Sequence, residues 1–213
     1  MIINNPHNKK ILKERLNQIE TILNNISSKH CFISGSFLYN KNYKDIDVFI
    51  ISRSKNKFNS KDLQINIIDF NKLHSLFYHS VSKSSISKDF LPEKELKVTI
   101  TDYWNIINET IPSIFNKNKN FQKEIRSLIL YTEYFRNGYI LDSYELTEKV
   151  NSFKSIEQII TYIQENVPLV IKNKLKSSYL KKFFYTQSGH YKKSKEYSSH
   201  KFLYLLSKEV ANG

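Results

Sequence analysis

Residues 31–51 run Cys-Phe-Ile-Ser-Gly-Ser-Phe-Leu-Tyr-Asn-Lys-Asn-Tyr-Lys-Asp-Ile-Asp-Val-Phe-Ile-Ile, and no other stretch constrains this chain as much. Cys31–Ser34 predicts a strand, and Gly35-Ser36 ends it with a small-residue turn. Asp45 and Asp47 then open a second apolar run that continues to Ile51. Alternate residues of a strand share a face. A strand over Lys44–Ser52 therefore aims Asp45 and Asp47 the same way, with Ile46 on the opposite side. Two like charges held that close repel, and a bound divalent cation is the commonest compensation. Hard carboxylate oxygens suit Mg²⁺ or Mn²⁺. Asn40–Lys44 is loop-like and would also suit solvated turn carboxylates, but the Ile46–Ile51 run argues for a strand.

A third segment, Leu63-Gln-Ile-Asn-Ile-Ile-Asp-Phe70, alternates Ile65 and Ile67 with Gln64 and Asn66, the pattern of a half-buried strand. Asp69 sits at its end. An apolar strand, Gly-Ser, a short stretch, Asp-x-Asp on the next strand and an acid on a later one resembles the DNA polymerase β-like nucleotidyltransferase superfamily. The resemblance covers roughly residues 10–75. Where many members carry Arg-Gly after the Gly-Ser, this chain has Phe37-Leu38-Tyr39-Asn40.

The resemblance implies a nucleotidyltransferase-type small mixed sheet flanked by helices. It also implies metal-dependent transfer of an NMP from an NTP to a hydroxyl acceptor, with release of pyrophosphate. Asp45 and Asp47 would hold the cation on the triphosphate, and with Asp69 a second cation that activates the acceptor, two such ions lying about 4 Å apart. Gly35 and Ser36 would seat the phosphates. Acceptors in the superfamily include RNA or DNA 3′ ends, protein side chains and small molecules such as aminoglycosides. Its small stand-alone members include toxin–antitoxin and phage-defence components. Asp69 has two competitors for its role. It would equally cap a helix starting near Asn71, and Asp102, after the alternating Glu95–Thr101, is a rival third carboxylate. The alternative to an enzyme is a catalytically inactive nucleotidyltransferase-fold module that binds nucleic acid or a partner protein.

The net charge of +13 favours a polyanionic partner, RNA before DNA. Most of that charge is lysine, since the only arginines are Arg15, Arg53, Arg126 and Arg136. Lysine is a point charge, which suits backbone contact more than base readout. No apolar run approaches the roughly 20 residues of a membrane helix. The N-terminus lacks the apolar stretch of a secretory signal. The single cysteine, Cys31, excludes an internal disulfide, and a reducing cytoplasm is the expected setting.

Helical spacing marks Asn8–Ile26, through Ile11, Leu12, Leu16, Ile19, Leu23 and Ile26. A short helix is expected near Asn71–His79, a loop over the Ser- and Lys-rich Ser80–Asp89, and a fourth strand over Glu95–Thr101. From Asp102 the pattern turns helical, over Asp102–Phe115, Asn120–Asn137, Ser155–Lys174 and Tyr197–Val210. Glu145–Phe153 is left open. The expected architecture is α+β: a nucleotidyltransferase-like α/β domain over residues 1–101 and a helical domain over 102–213. Lys172–Lys201 interleaves nine lysines with Tyr179, Phe183, Phe184, Tyr185, Tyr191 and Tyr197, as single-strand binding requires. The same residues also fit a solvated helix face with its rings in the core.

Overall fold

The computed structural model describes residues 1–53, 63–116, 121–174, 182–184, 186–187 and 198–211. The protein is α+β with a five-stranded mixed sheet. It packs as two compact units, Met1–Val98 with Ile140–Thr147, and Thr99–Tyr139 with Glu148–Gly213.

In the first unit, strand β1 (Ile2–Asn4) precedes helix α1 (Lys9–Asn25). The Asn8 side chain accepts from the Ile11 N–H, capping α1 where the apolar spacing begins. Strands β2 (Cys31–Ser34), β3 (Ile46–Ile51) and β4 (Leu63–Ile68) follow, then helix α2 (Leu76–Lys83) and strand β5 (Ser85–Ser87). The sheet order is β1-β5-β2-β3-β4; only β3 and β4 pair in parallel.

Period-2 alternation sorts the sheet into two cores. On one face Cys31, Ile33, Ile46, Val48, Ile50 and Ile86 pack under Leu12, Ile19, Leu23 and Ile26 of α1 and its end. On the other, Phe32, Phe49, Ile51 and Ile68 pack with Leu73, Tyr78 and Val81.

Two expectations fail here. Ser80–Asp89 is not a loop: it contains the end of α2 and all of β5, which lies between β1 and β2. The place of β5 in the sheet comes from pairing with β1 and β2, while Ser84 Oγ donates to Asn5 O (3.0 Å) and Ser85 Oγ to Ser82 O (2.7 Å). Glu95–Thr101 is not a strand. Leu91–Thr99 carries no regular secondary structure, and the helix begins at Ile100. Its alternation comes from Leu96 and Val98 turning half inward while Glu95, Lys97 and Thr99 face solvent, without a ladder partner.

The second unit is helical: α3 (Ile100–Phe115), α4 (Phe121–Asn137), α6 (Ile156–Lys174) and α7 (Ser198–Ala211), with the end of α5 (Ser143–Asn151). Within it α3 packs on α4 and α7, and α6 on α4 and α7. Pro112 and Pro168 lie inside α3 and α6 without ending them. Gly138, at φ 73°, terminates α4 with its N–H on Tyr134 O (2.8 Å). The α3 start is a reciprocal cap: Thr99 Oγ1 accepts from Asp102 N, and Asp102 accepts from Thr99 N (2.8 Å). Thr99→Ala is expected to cost about 1 kcal/mol of stability, measured by denaturant unfolding. No helix among the described residues is long and apolar enough to cross a membrane.

Candidate functional site

The site is assembled at one end of the sheet in the first unit. Asp47 pairs with Ser34 across β2–β3 and with Gln64 across β3–β4, while Ser34 pairs with Ser85, and Ser85 with Asn4. In-register residues of neighbouring strands share a face. Asn4, Ser85, Ser34, Asp47 and Gln64 therefore form one polar row across all five strands, at the edge of the core built on Phe32 and Phe49. Ser34 and Ser85 are buried, and Asp45 and Asp47 half-buried.

The Gly35-Ser36 turn closes onto this row. Gly35 has φ 85°, and a Cβ placed there would lie 2.7 Å from Asp47 Oδ2. Only glycine lets the backbone approach the carboxylate so closely in that conformation. Ser36–Leu38 then forms a single 3₁₀ turn, with Leu38 N–H on Gly35 O (3.0 Å) and Asn40 N–H on Ser36 O (2.8 Å). It is one turn of three residues and leads into no longer helix.

Arg15 of α1 holds the loop that joins the turn to the carboxylates. Its guanidinium donates to the carbonyls of Phe37, Asn40 (3.0 Å) and Lys41 (3.2 Å). It also lies over the rings of Phe37 (4.8 Å) and Tyr43 (4.6 Å). A planar five-donor cation bridging three carbonyls between two rings fixes a loop in a way lysine cannot. Arg15 carries no motif, and only its place on the inner side of α1 hinted at a role.

The segment 140–147 crosses the same row. Ser143 Oγ meets Ser34 Oγ (3.1 Å), Ser80 Oγ donates to Leu141 O (2.6 Å), and Lys83 Nζ donates to Ile140 O (2.7 Å). Asp142 is fully buried and saturated. It accepts from Tyr144 N (2.9 Å), Glu145 N (3.0 Å), Asn5 Nδ2 (3.0 Å) and His7 Nε2 (2.6 Å).

The third acid does not join the pair. Because β4 runs parallel to β3, both strands start at the same end, and Asp69 lies beyond Ile68, the partner of Ile51. From Gln64 to Asp69 is five residues along β4, about 16 Å at strand rise. The Asp69 carboxylate instead caps the next turn, accepting from Asn71 N (2.7 Å). Asp102 lies in the second unit and is committed to Thr99. Gln64, a neutral amide, stands beside Asp47. Asp62, next before β4 in the sequence, lies outside the described residues. Among the described residues no group of three or more His, Cys, Asp or Glu is disposed to hold one metal ion.

Comparison with protein-family models, with curated proteins and with solved structures gave no match. Mg²⁺ is commonly held by one or two carboxylates together with substrate phosphate oxygens and water. Asp47 beside the glycine turn meets that requirement for one cation; Asp45 lies just ahead of β3, outside the strand alternation expected to align it with Asp47. The two carboxylates do not fit a second cation that also needs Asp69. Most of the Lys172–Lys201 segment falls outside the described residues, and the single-strand binding reading rests there.

Proposed function

We propose that the first unit is a nucleotidyltransferase-type module that holds a nucleoside triphosphate through one divalent cation, Mg²⁺ or Mn²⁺, at Asp45 and Asp47. The phosphates lie against the Gly35-Ser36 turn. The observation that supports this most is the approach of the Gly35 backbone to Asp47, with a would-be Cβ only 2.7 Å from Oδ2. A metal carboxylate and a side-chain-free backbone share one corner, and a cation-bound phosphate needs both. When bound, the cation supplies charge neutralisation of the phosphate oxygens. Asp45 and Asp47 orient it, and Arg15 keeps the intervening loop in one shape.

The reading has two forms. In the first, the NMP passes to a hydroxyl acceptor and pyrophosphate leaves; the net charge of +13 favours RNA as that acceptor. In the second, nucleotide is bound without turnover, and the protein is an inactive nucleotidyltransferase-fold module serving nucleic acid or a partner protein. Gln64 beside Asp47 favours the second form, since two-cation transfer needs a further carboxylate there.

Equilibrium binding of each NTP with Mg²⁺, followed by incubation of α-labelled NTP with RNA, a protein extract and small alcohols, tests both. Saturable binding that requires the cation is expected, with Asp47→Asn weakening it about tenfold or more. Label transfer that disappears in Asp47→Asn would establish the first form, and binding without transfer the second. Absence of cation-dependent NTP binding would end the proposal.

A further inference from the structure

Strand β4 is an outer edge of the sheet in the first unit. Its inner side is spent on β3. Ser52 N–H donates to Ile68 O (3.1 Å), in the register that pairs Ile51 with Ile68. Backbone groups of successive strand residues point to opposite sides. Gln64, Asn66 and Ile68 therefore turn their N–H and C=O groups toward β3. Leu63, Ile65 and Ile67 turn theirs outward, where no other strand among the described residues pairs with them.

An open edge is ordinarily blunted by shortness, charge or proline. The opposite edge strand, β1, has only three residues. Strand β4 has six, Leu-Gln-Ile-Asn-Ile-Ile, with no charge, no proline and no glycine. The chain carries 33 lysines and arginines, and none falls on the strand that most needs one as a guard. Leu63, Ile65 and Ile67 are also only half-buried.

The strand is complementary to itself. Antiparallel pairing centred on Ile65 sets Ile65 opposite Ile65 of a second copy, Leu63 opposite Ile67, and Gln64 opposite Asn66. Apolar side chains then meet apolar ones on the face packed under α1, and amides meet amides on the face of Asp47. The outward N–H and C=O groups of Leu63, Ile65 and Ile67 all gain partners, because each of these residues faces another of the three. Other centres lose this match. Centring on Asn66 sets Leu63 against Asp69 and Gln64 against Ile68, and centring on Gln64 carries Ile67 past the start of the second strand. An unrelated strand has no reason to reproduce the pattern, whereas a second copy has it by symmetry.

We propose that β4 pairs antiparallel with β4 of a second copy of this chain, joining two five-stranded sheets across a two-fold axis at Ile65. Six residues a side make a small interface, so the dimer is concentration-dependent rather than permanent. The net charge of +13 on each copy opposes it, while β4 itself adds no repulsion. Salt therefore strengthens the dimer by screening. Association bridged by nucleic acid would respond in the opposite sense. The interface does not depend on the nucleotide reading.

Sedimentation equilibrium of the full chain, stripped of nucleic acid, at about 0.1 M and about 0.5 M salt tests the proposal. A monomer–dimer equilibrium is expected, several-fold tighter at the higher salt. Ile65→Lys and Ile65→Glu should each weaken dimerisation about tenfold or more, since like charges then meet on the axis. An equimolar mixture of the two variants should restore a dimer, because only a residue on the axis faces its own counterpart. Thermal unfolding checks that both variants fold. Ile65→Cys gives an independent reading that introduces no charge. Across a hydrogen-bonded antiparallel pair the Cα atoms lie about 5.5 Å apart, within disulfide range. Mild oxidation should cross-link Ile65→Cys faster than Gln64→Cys, although Gln64 is the more exposed position. A monomer at every concentration and salt overturns the proposal. So does a dimer that survives both charge variants, a mixture of folded charge variants that stays monomeric, or faster cross-linking at position 64.

Discussion

Gly35→Ala is expected to abolish cation-dependent nucleotide binding and to destabilise the first unit by about 2 kcal/mol or more. Two effects add at this position. The backbone sits at φ 85°, where an L side chain costs about 1–2 kcal/mol. The new Cβ would also meet Asp47 Oδ2 at 2.7 Å, so the turn or the carboxylate must move. Either movement separates the phosphate seat from its cation ligand. Nucleotide titration beside thermal unfolding checks this. A variant that melts early yet binds nucleotide with wild-type affinity would remove the turn from the site.

Asp142→Ala should produce the largest loss of stability of any single change in the first unit, about 3 kcal/mol or more. The side chain is 0% exposed and accepts four hydrogen bonds, two from the start of α5 and two from Asn5 and His7. Alanine leaves the part-buried Tyr144 and Glu145 N–H groups and the His7 imidazole without their carboxylate. For a unit of this size such a loss lowers the melting temperature by about 10 °C or more. A double-mutant cycle with His7→Ala isolates the pair, which should couple by about 1–3 kcal/mol. Additivity of the two changes would show that His7 and Asp142 are merely neighbours. The effect reaches the candidate site, because Ser143, one residue on, meets Ser34 at the register position of Asp47.

Much of this fold follows from local pattern. The α1 stripe and its Asn8 cap, and the apolar runs of β2 and β3 around Gly35-Ser36, are set by neighbouring residues and were legible for that reason. Strand direction is set by distant residues. The alternation over 63–69 marks a strand but not which way it runs. The connection of residues 52–62 carried that information, since antiparallel neighbours are usually joined by far fewer residues. Running β4 parallel moves Asp69 to the far end, and the carboxylate trio no longer converges. The short strands β1 and β5 have no periodicity of their own, and Ser85-Ile86-Ser87 has the composition of a loop. Its place in the sheet depends on pairing with residues some fifty positions away. Asp142 did leave a local sign. Asp142-x-x-Glu145 is a capping-box spacing, and the structure closes it in both directions, with Asp142 N on Glu145 Oε2 (2.9 Å).

The central claim is that two carboxylates and a glycine turn hold one cation together with a nucleotide. Counting Mn²⁺ bound per chain by electron paramagnetic resonance, with and without a non-hydrolysable NTP, tests it most directly. The expected result is one Mn²⁺ per chain, tight only when nucleotide is present and lost in Asp47→Asn. No nucleotide-dependent Mn²⁺ would contradict the site itself. A second Mn²⁺ that also depends on Asp47 would contradict the one-cation geometry and restore the two-cation transferase.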